Sequence, residues 1–393
     1  MAGTGHDGGV LKVFDAQFAR NPWPVLDSLR ADGGVHRVAT PDGPPAWLVT
    51  RYGDVRAGLL DGRLSTDQRH ARGNDYRGFS VPEPLDTFLN GEADDLERLR
   101  RAVTSELQPR RLGEWRTRAA AMLEPMLEKL DGATEFDLVE QVTVPLPAAV
   151  LTDVLGLSDT THDRLRDWAD TTLCADAAPR ARDTLAIMQE IIESAIEDGR
   201  RADDRTMLGR LATAGFGPGE STGLLFFLLF VWYEVLVDLI SGAVAAFSAR
   251  PDQLAAALSS TGPLGAVDEL LRFLSPQVLA SPRFATTDLD IGGYWIPAGD
   301  TVLFCLASAN HDPERFTAPD QLDVRRTPNP HLALGYGGRA CVGAGLVRPV
   351  VAAILRRLYE RWPALRVVGD VHEIPWRSGF RHRGPLLLPV EPG

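Results

Sequence analysis

The sequence predicts a mainly α-helical fold with small β-sheets, and three observations predict it. Helical periodicity runs with few breaks from Ala93 to Arg250. Within that span, one long and strongly apolar helix is expected from about Glu220 to Ser248. Strand signals are short and confined to the two ends of the chain, and no low-complexity linker separates them from the helices. One domain over residues 21–393, behind a flexible N-terminus over 1–20, is therefore expected.

The elements follow in chain order. A helix is predicted over 22–31, then strands over 35–39 and 46–50 across the turn-rich Pro41-Asp42-Gly43-Pro44-Pro45. Residues 65–84 are rich in Gly, Asp and Arg, lack periodicity and read as a long loop, a kind of segment that is often functional. The apolar run 224–240 is interrupted by Glu234 and Asp238, so its uninterrupted part is too short to span a bilayer and reads as a buried core helix. A helix over 265–274 stops before Pro276. Strands over 288–291 and 294–296 flank Gly292-Gly293 and lead into the turn Pro297-Ala298-Gly299. Residues 316–329 read as irregular, and a last helix follows Cys341 and runs to Arg361.

Composition narrows the function. Hydrophobic residues at 44% and charged residues at 24% are those of a soluble globular protein. A formal net charge of −12 argues against general nucleic-acid affinity. The three cysteines, Cys174, Cys305 and Cys341, are sparse and odd in number, which fits a reducing compartment better than a disulfide framework. Residues 1–18 lack a basic start followed by an apolar run, so no signal peptide is expected, and the location expected is cytoplasmic, with no membrane association.

Two motifs carry chemistry. His331 to Gly345 reads HLALGYGGRACVGAG: Gly335, Gly337, Gly338 and Gly343 flank one cysteine and lead into a helix. Glycines let backbone adopt positive φ and approach a flat cofactor closely. A cysteine at a helix start has its thiolate stabilised by the positive helix end. Upstream, Glu269 and Arg272 stand three apart on one helix face and can pair.

The Glu269-Leu270-Leu271-Arg272 motif, the Cys341 loop and the long apolar helix resemble, in order and spacing, the cytochrome P450 family, and the resemblance extends from Asn21 to Pro392. Segments 96–111, 281–285 and 309–316 also resemble soluble bacterial members. The resemblance implies a triangular α-helical prism holding haem b (iron protoporphyrin IX) between the central helix and the Cys-loop helix. It implies Cys341 as axial iron ligand, with Leu334 and Gly335 in the cofactor-binding loop. Arg100, Arg283 and Arg339 would bind the propionates, and Glu269 and Arg272 would be structural.

The same resemblance exposes departures. The family's small-Gly-x-acid-Thr motif reads here Val231-Trp232-Tyr233-Glu234-Val235: the acid is kept, Gly is replaced by Trp232 and Thr by Val235. Valine cannot relay a proton, and a Trp would narrow the oxygen site, so Glu234, Trp232 and Val235 are the candidate catalytic positions. Trp232 and Tyr233 are also candidates for redox activity, against core packing as the commoner role. Leu96 stands where the family has His, Leu334 where it has Phe, and Gln321 where an Arg completes the Glu-Arg network. Val350 replaces a Glu, and Pro349 before it is expected to kink or delay the last helix.

By resemblance, the substrate pocket would take Leu228, Leu229, Trp232, Val235, Gln277, Val278, Leu279 and Phe380, with a lid around 165–191. Arg98, Arg101, Arg110 and Arg111 would form a basic patch for an acidic ferredoxin fed by a ferredoxin reductase. The expected activity is that of a haem-thiolate oxidoreductase with atypical oxygen and proton handling, acting on a small-molecule or carrier-protein-bound intermediate of secondary metabolism. Coupling, dehydrogenation or rearrangement stand beside hydroxylation as reactions. The alternatives are a catalytically degenerate auxiliary that binds or activates a partner enzyme, and a haem-binding sensor or storage module without turnover.

Overall fold

The computed structural model describes residues 9–41, 43–74, 84–85, 87, 93–107, 109–174, 184–231, 233–259, 263–377 and 380–393. Its short strands are β1 (Val35–Thr40), β2 (Gly43–Val49), β3 (Leu64–Ser65), β4 (Phe136–Asp137), β5 (Arg283–Ala285), β6 (Leu289–Ile291), β7 (Tyr294–Ile296), β8 (Thr301–Phe304), β9 (Arg366–Val367) and β10 (Pro389–Glu391). The largest sheet runs β1-β2-β8-β5-β3 and draws strands from both ends of the chain. β1 and β2 form an antiparallel hairpin from Val35↔Val49 to Thr40↔Gly43, and β2 pairs in parallel with β8. The two predicted strands thus extend into the turn between them; Asp42 lies outside the described residues. β6 and β7 form the predicted hairpin, with Gly292 and Gly293 at positive φ where the turn requires it.

Residues 9–20, within the stretch expected to form a flexible N-terminus, contact the rest of the fold. Leu11 N–H donates to the Arg37 carbonyl (2.9 Å) and the Leu11 carbonyl accepts from Ala39 N–H (2.8 Å). The Asp15 side chain caps the helix Ala16–Arg20, and Phe18 is buried with Leu26, Leu29, Val278 and Leu279. Phe14 and Phe18 give this segment apolar surface that docking removes from water, which a random tail would leave exposed.

The helical mass is organised by the apolar run. The single predicted helix over 220–248 is present as Pro218–Phe226, a π-helical turn Phe227–Val231 and the helix Tyr233–Ser248. The extra residue in a π turn rotates the following face relative to the preceding one, so the register across it could not be read from 3.6-residue periodicity. The run Pro218–Ser248 is long and apolar enough to cross a membrane by composition, yet 82% of its most apolar window is buried within the protein, as expected of a core helix.

Around the central helix pack the helix Pro263–Leu274 and the last helix, Ala344–Arg361, which also lies along the helix Pro109–Lys129. Pro349 does not delay that last helix, which starts at Ala344 and passes through it. Proline removes only one N–H donor, and Arg348 Nη1 donates to the neighbouring carbonyl of Ala344 (3.1 Å).

Candidate functional site: a buried Glu-Arg network, a cysteine loop and an enclosed charge cluster

The Glu269–Arg272 pair is fully buried. Arg272 Nε and Nη2 donate to the two Glu269 carboxylate oxygens, each at 2.8 Å. The remaining donors reach the carbonyls of Asn310 (3.0 Å), Pro319 (2.7 Å) and Gln321 (3.0 Å), so all five N–H groups of the guanidinium are used. Arg326 Nε donates to both Glu269 oxygens (3.2 and 3.1 Å), and Asn329 and the Asp323 N–H complete the carboxylate's shell. The third member of the network is therefore Arg326, which corrects its placement at Gln321. Gln321 instead contributes a backbone carbonyl. The segment is irregular, so no periodicity fixed which of its residues would face Glu269.

This network anchors the segment that leads into the cysteine loop. Asn310 Oδ1 accepts from Leu332 N–H (2.7 Å), and the loop closes where Cys341 N–H donates to the Leu334 carbonyl (2.8 Å). Gly335 and Gly337 take φ of +72° and +76°; a Cβ at Gly337 would also come within 2.6 Å of Leu60. Gly338 and Gly343 are not at positive φ. Cys341 is ringed by protein, and burial pushes its thiol up. The N–H groups of Gly343 and Ala344 and the guanidiniums of Arg100 and Arg348 oppose that rise without cancelling it. The helix-start effect is present, but desolvation outweighs it. A cation bonded to the sulfur would reverse the balance.

Three predicted arginines converge here. Arg100 Nη2 donates to the Ala340 carbonyl (2.5 Å), beside the cysteine. Arg283 Nη1 donates to the carbonyls of Ser281 (2.8 Å) and Pro282 (3.2 Å). Burial and the charge of Arg339 lower Arg283 to about 10, and burial and Arg100 lower Arg339. Among the described residues no carboxylate pairs with Arg100 or Arg283. An open depression of about 780 Å³ lies on the surface between Leu96, Glu97, Arg100, Arg101, Gly338 and Arg339. Buried Arg283, half-buried Arg100 and exposed Arg339, gathered around one cysteine, suit a dianionic, thiolate-ligated group, and the iron and two propionates of haem match that donor set.

On the central helix, Glu234 and Val235 are half-buried, and Trp232 lies outside the described residues. Tyr233 is fully buried, donates to the Val144 carbonyl (2.5 Å) and packs edge-on to Trp168, so its role is core packing. Four of the residues assigned to the substrate pocket are buried. Leu228 (7% exposed) and Leu229 (0%) lie in the main core, and Val278 and Leu279 (1% each) pack with Phe18, Leu26 and Leu303. Phe380 packs on Phe14, with ring centroids 5.0 Å apart. Apolar side chains lining a pocket and those filling a core follow the same pattern, so sequence did not separate them.

The loop of Phe380 brings other residues to the central helix. His382 Nε2 lies 3.9 Å from Glu234 Oε2, and Arg377 forms an ion pair with Asp238. Sequence reasoning missed this cluster. The available signal was Asp238, a second acid one turn after Glu234 in an apolar helix, which demanded a cation from elsewhere. Of the predicted basic patch, Arg98 is tied to Glu220 and stacks on Phe216, and Arg101 stands 3.7 Å from Glu97. The side chains of Arg110 and Arg111 lie outside those described.

Comparison with known proteins places this architecture. The family model described as "Cytochrome P450" matches residues 265–363. The chain is 33% identical to cytochrome P450 107B1 of Saccharopolyspora erythraea, with 98% of each chain covered. It is 34% identical to the cytochrome P450 monooxygenase PikC of Streptomyces venezuelae, covering 97% of this chain and 93% of that protein. The structure of the tirandamycin C-bound P450 monooxygenase TamI is similar at a TM-score of 0.86 and 32% identity, over 98% of this chain and all of that one.

Proposed function

The chain belongs to the cytochrome P450 family, whose cofactor is haem b, and from that premise we propose that it is a haem-thiolate monooxygenase-type oxidoreductase of secondary metabolism whose proton handling does not use a hydroxyl at position 235. The observation that carries the reading is the convergence of Arg100, Arg283 and Arg339 on the Cys341 loop. Bound haem supplies the activation of dioxygen or peroxide that oxidises an organic substrate.

The chain's own residues do the rest. Cys341 would ligate the iron, and its N–H bond to Leu334 holds the loop so that the sulfur is presented at one place. The three guanidiniums would hold the propionates and offset the cost of enclosing them. The Glu269–Arg272–Arg326 network fixes the segment 310–332 that leads to the cysteine loop. On the central helix, Val235 can exclude water but cannot pass a proton, which leaves Glu234 to hold or move one.

TamI, a monooxygenase caught with tirandamycin C, supports a small natural product as the substrate class. A ferredoxin is the proposed electron donor. Both Arg98 and Arg101 have a carboxylate partner, and the more exposed Arg101, set 3.7 Å from Glu97, would steer it better than Arg98. An intact ligand loop and an intact buried Glu-Arg network favour an enzyme over an auxiliary. The test is purification, followed by the ferrous carbonyl spectrum and turnover with a ferredoxin system or with peroxide. A strongly red-shifted Soret band that Cys341→Ser abolishes is the expected result. A colourless protein that refuses haemin would refute the reading.

A further inference from the structure

Glu234 and Asp238 stand one turn apart on the central helix, and both meet basic residues of one C-terminal loop. The register of that loop is fixed by backbone bonds. Val278 N–H donates to the Arg381 carbonyl (2.7 Å) and Arg383 N–H to the Pro276 carbonyl (2.8 Å), which sets His382 opposite Gln277. Close approach is permitted by Gly384, where a Cβ would overlap the Asp238 carboxylate. The Asp238–Arg377 pair thus clasps loop to helix and brings His382 to Glu234.

His382 is deeply enclosed by protein, yet its side chain keeps 26% of its surface open and that of Glu234 keeps 29%. The buried Nδ1 of His382 has no hydrogen-bond partner among the described residues, while Nε2 points at Glu234. The 3.9 Å gap is closed by a small rotation of either side chain.

We propose that His382 is the proton-exchange partner of Glu234, and that the pair moves protons on the distal side in place of the hydroxyl that Val235 lacks. The proposal rests on the haem-enzyme reading above. The Nε2 proton of the imidazolium passes to the Glu234 carboxylate, the carboxylic acid so formed gives that proton into the pocket, and the neutral ring is recharged from water. His382 acts through Glu234 and is a positioning residue. The charges around it are Glu234, which favours the imidazolium, and Arg381 and Arg377, which oppose it; Arg377 is engaged by Asp238. Burial, the largest influence, holds the imidazole below its usual value of 6.5. The nearby Cys174 thiol, pushed up to about 11 mainly by burial, stays neutral.

The test uses holoprotein carrying ¹³C-labelled histidine in the diamagnetic ferrous carbonyl form, with the His382 resonance assigned by its loss in His382→Gln. The ring is expected to titrate below 6.5, and Glu234→Gln, which removes the charge that favours the imidazolium, to lower it further. In peroxide-driven oxidation of guaiacol, His382→Gln is expected to lower the rate at least about tenfold and to remove the acid limb of the pH profile. Adding Val235→Thr in that background is expected to restore the rate, which a merely structural role for His382 would not allow. An imidazole that ignores Glu234→Gln, an unaltered rate in His382→Gln, or no rescue by the threonine overturns the proposal. A wild-type carbonyl spectrum without the thiolate red shift overturns the haem-enzyme reading and this proposal with it. A red shift with an unmoved imidazole overturns this proposal alone.

Discussion

Replacing Arg272 by methionine tests the buried network directly. The arginine is fully buried and spends two N–H donors on the Glu269 carboxylate and three on the carbonyls of Asn310, Pro319 and Gln321. Methionine fills much of the volume and satisfies none of these acceptors. Glu269 would keep Arg326, Asn329 and the Asp323 N–H, so its charge would not be abandoned. Breaking one partner from a buried pair costs about 3–5 kcal/mol. Three deprived carbonyls keep the cost at the upper end, about 5 kcal/mol, a large share of the ~5–15 kcal/mol that holds a domain folded.

Arg326→Met should cost less. Arg326 is 11% exposed, its bonds to Glu269 are longer at 3.1 and 3.2 Å, and Glu269 retains Arg272. About 2 kcal/mol is expected. The assay is guanidinium unfolding of each holoprotein, read in parallel by far-ultraviolet circular dichroism and by release of the pigment, since a bound cofactor can uncouple the two transitions. Arg272→Met within about 1 kcal/mol of wild type, or Arg326→Met as damaging as Arg272→Met, would refute the reasoning.

Three further outcomes are expected. Gly384→Ala should push the Asp238 carboxylate off Arg377 and cost about 1–3 kcal/mol in thermal unfolding, whereas a neutral substitution would mean the clasp is not tight. Arg283→Leu removes a buried cation from the proposed propionate site and should speed transfer of haem to apomyoglobin by about tenfold or more; an unchanged rate would show that it binds no propionate. For Asp268, burial raises the carboxyl, but hydrogen bonds from His331 (3.0 Å) and Arg348 (2.7 Å) outweigh it and hold it below 3.8. Its contribution is thus complete above that value and is lost as pH falls through the lower folded value. The stability gap between wild type and Asp268→Asn should close in acid below about pH 4, and a gap that widens there would contradict the sign.

The sequence by itself determined the elements and the cysteine loop. Periodicity, prolines and glycine spacing are local properties, and the loop reports its own backbone needs through Gly335 and Gly337. It also determined that Val235 carries no hydroxyl. Only the tertiary structure decided which charges meet. Arg326 rather than Gln321 completes the Glu269 network because an irregular segment has no period from which to count. Which neighbours bury Leu229, Val278 and Leu279 was also set by the fold, because apolarity does not say what covers a side chain. Likewise Arg377 and His382 found Asp238 and Glu234 across more than a hundred residues of chain, because a buried carboxylate fixes that it needs a partner but not where in the sequence the partner lies.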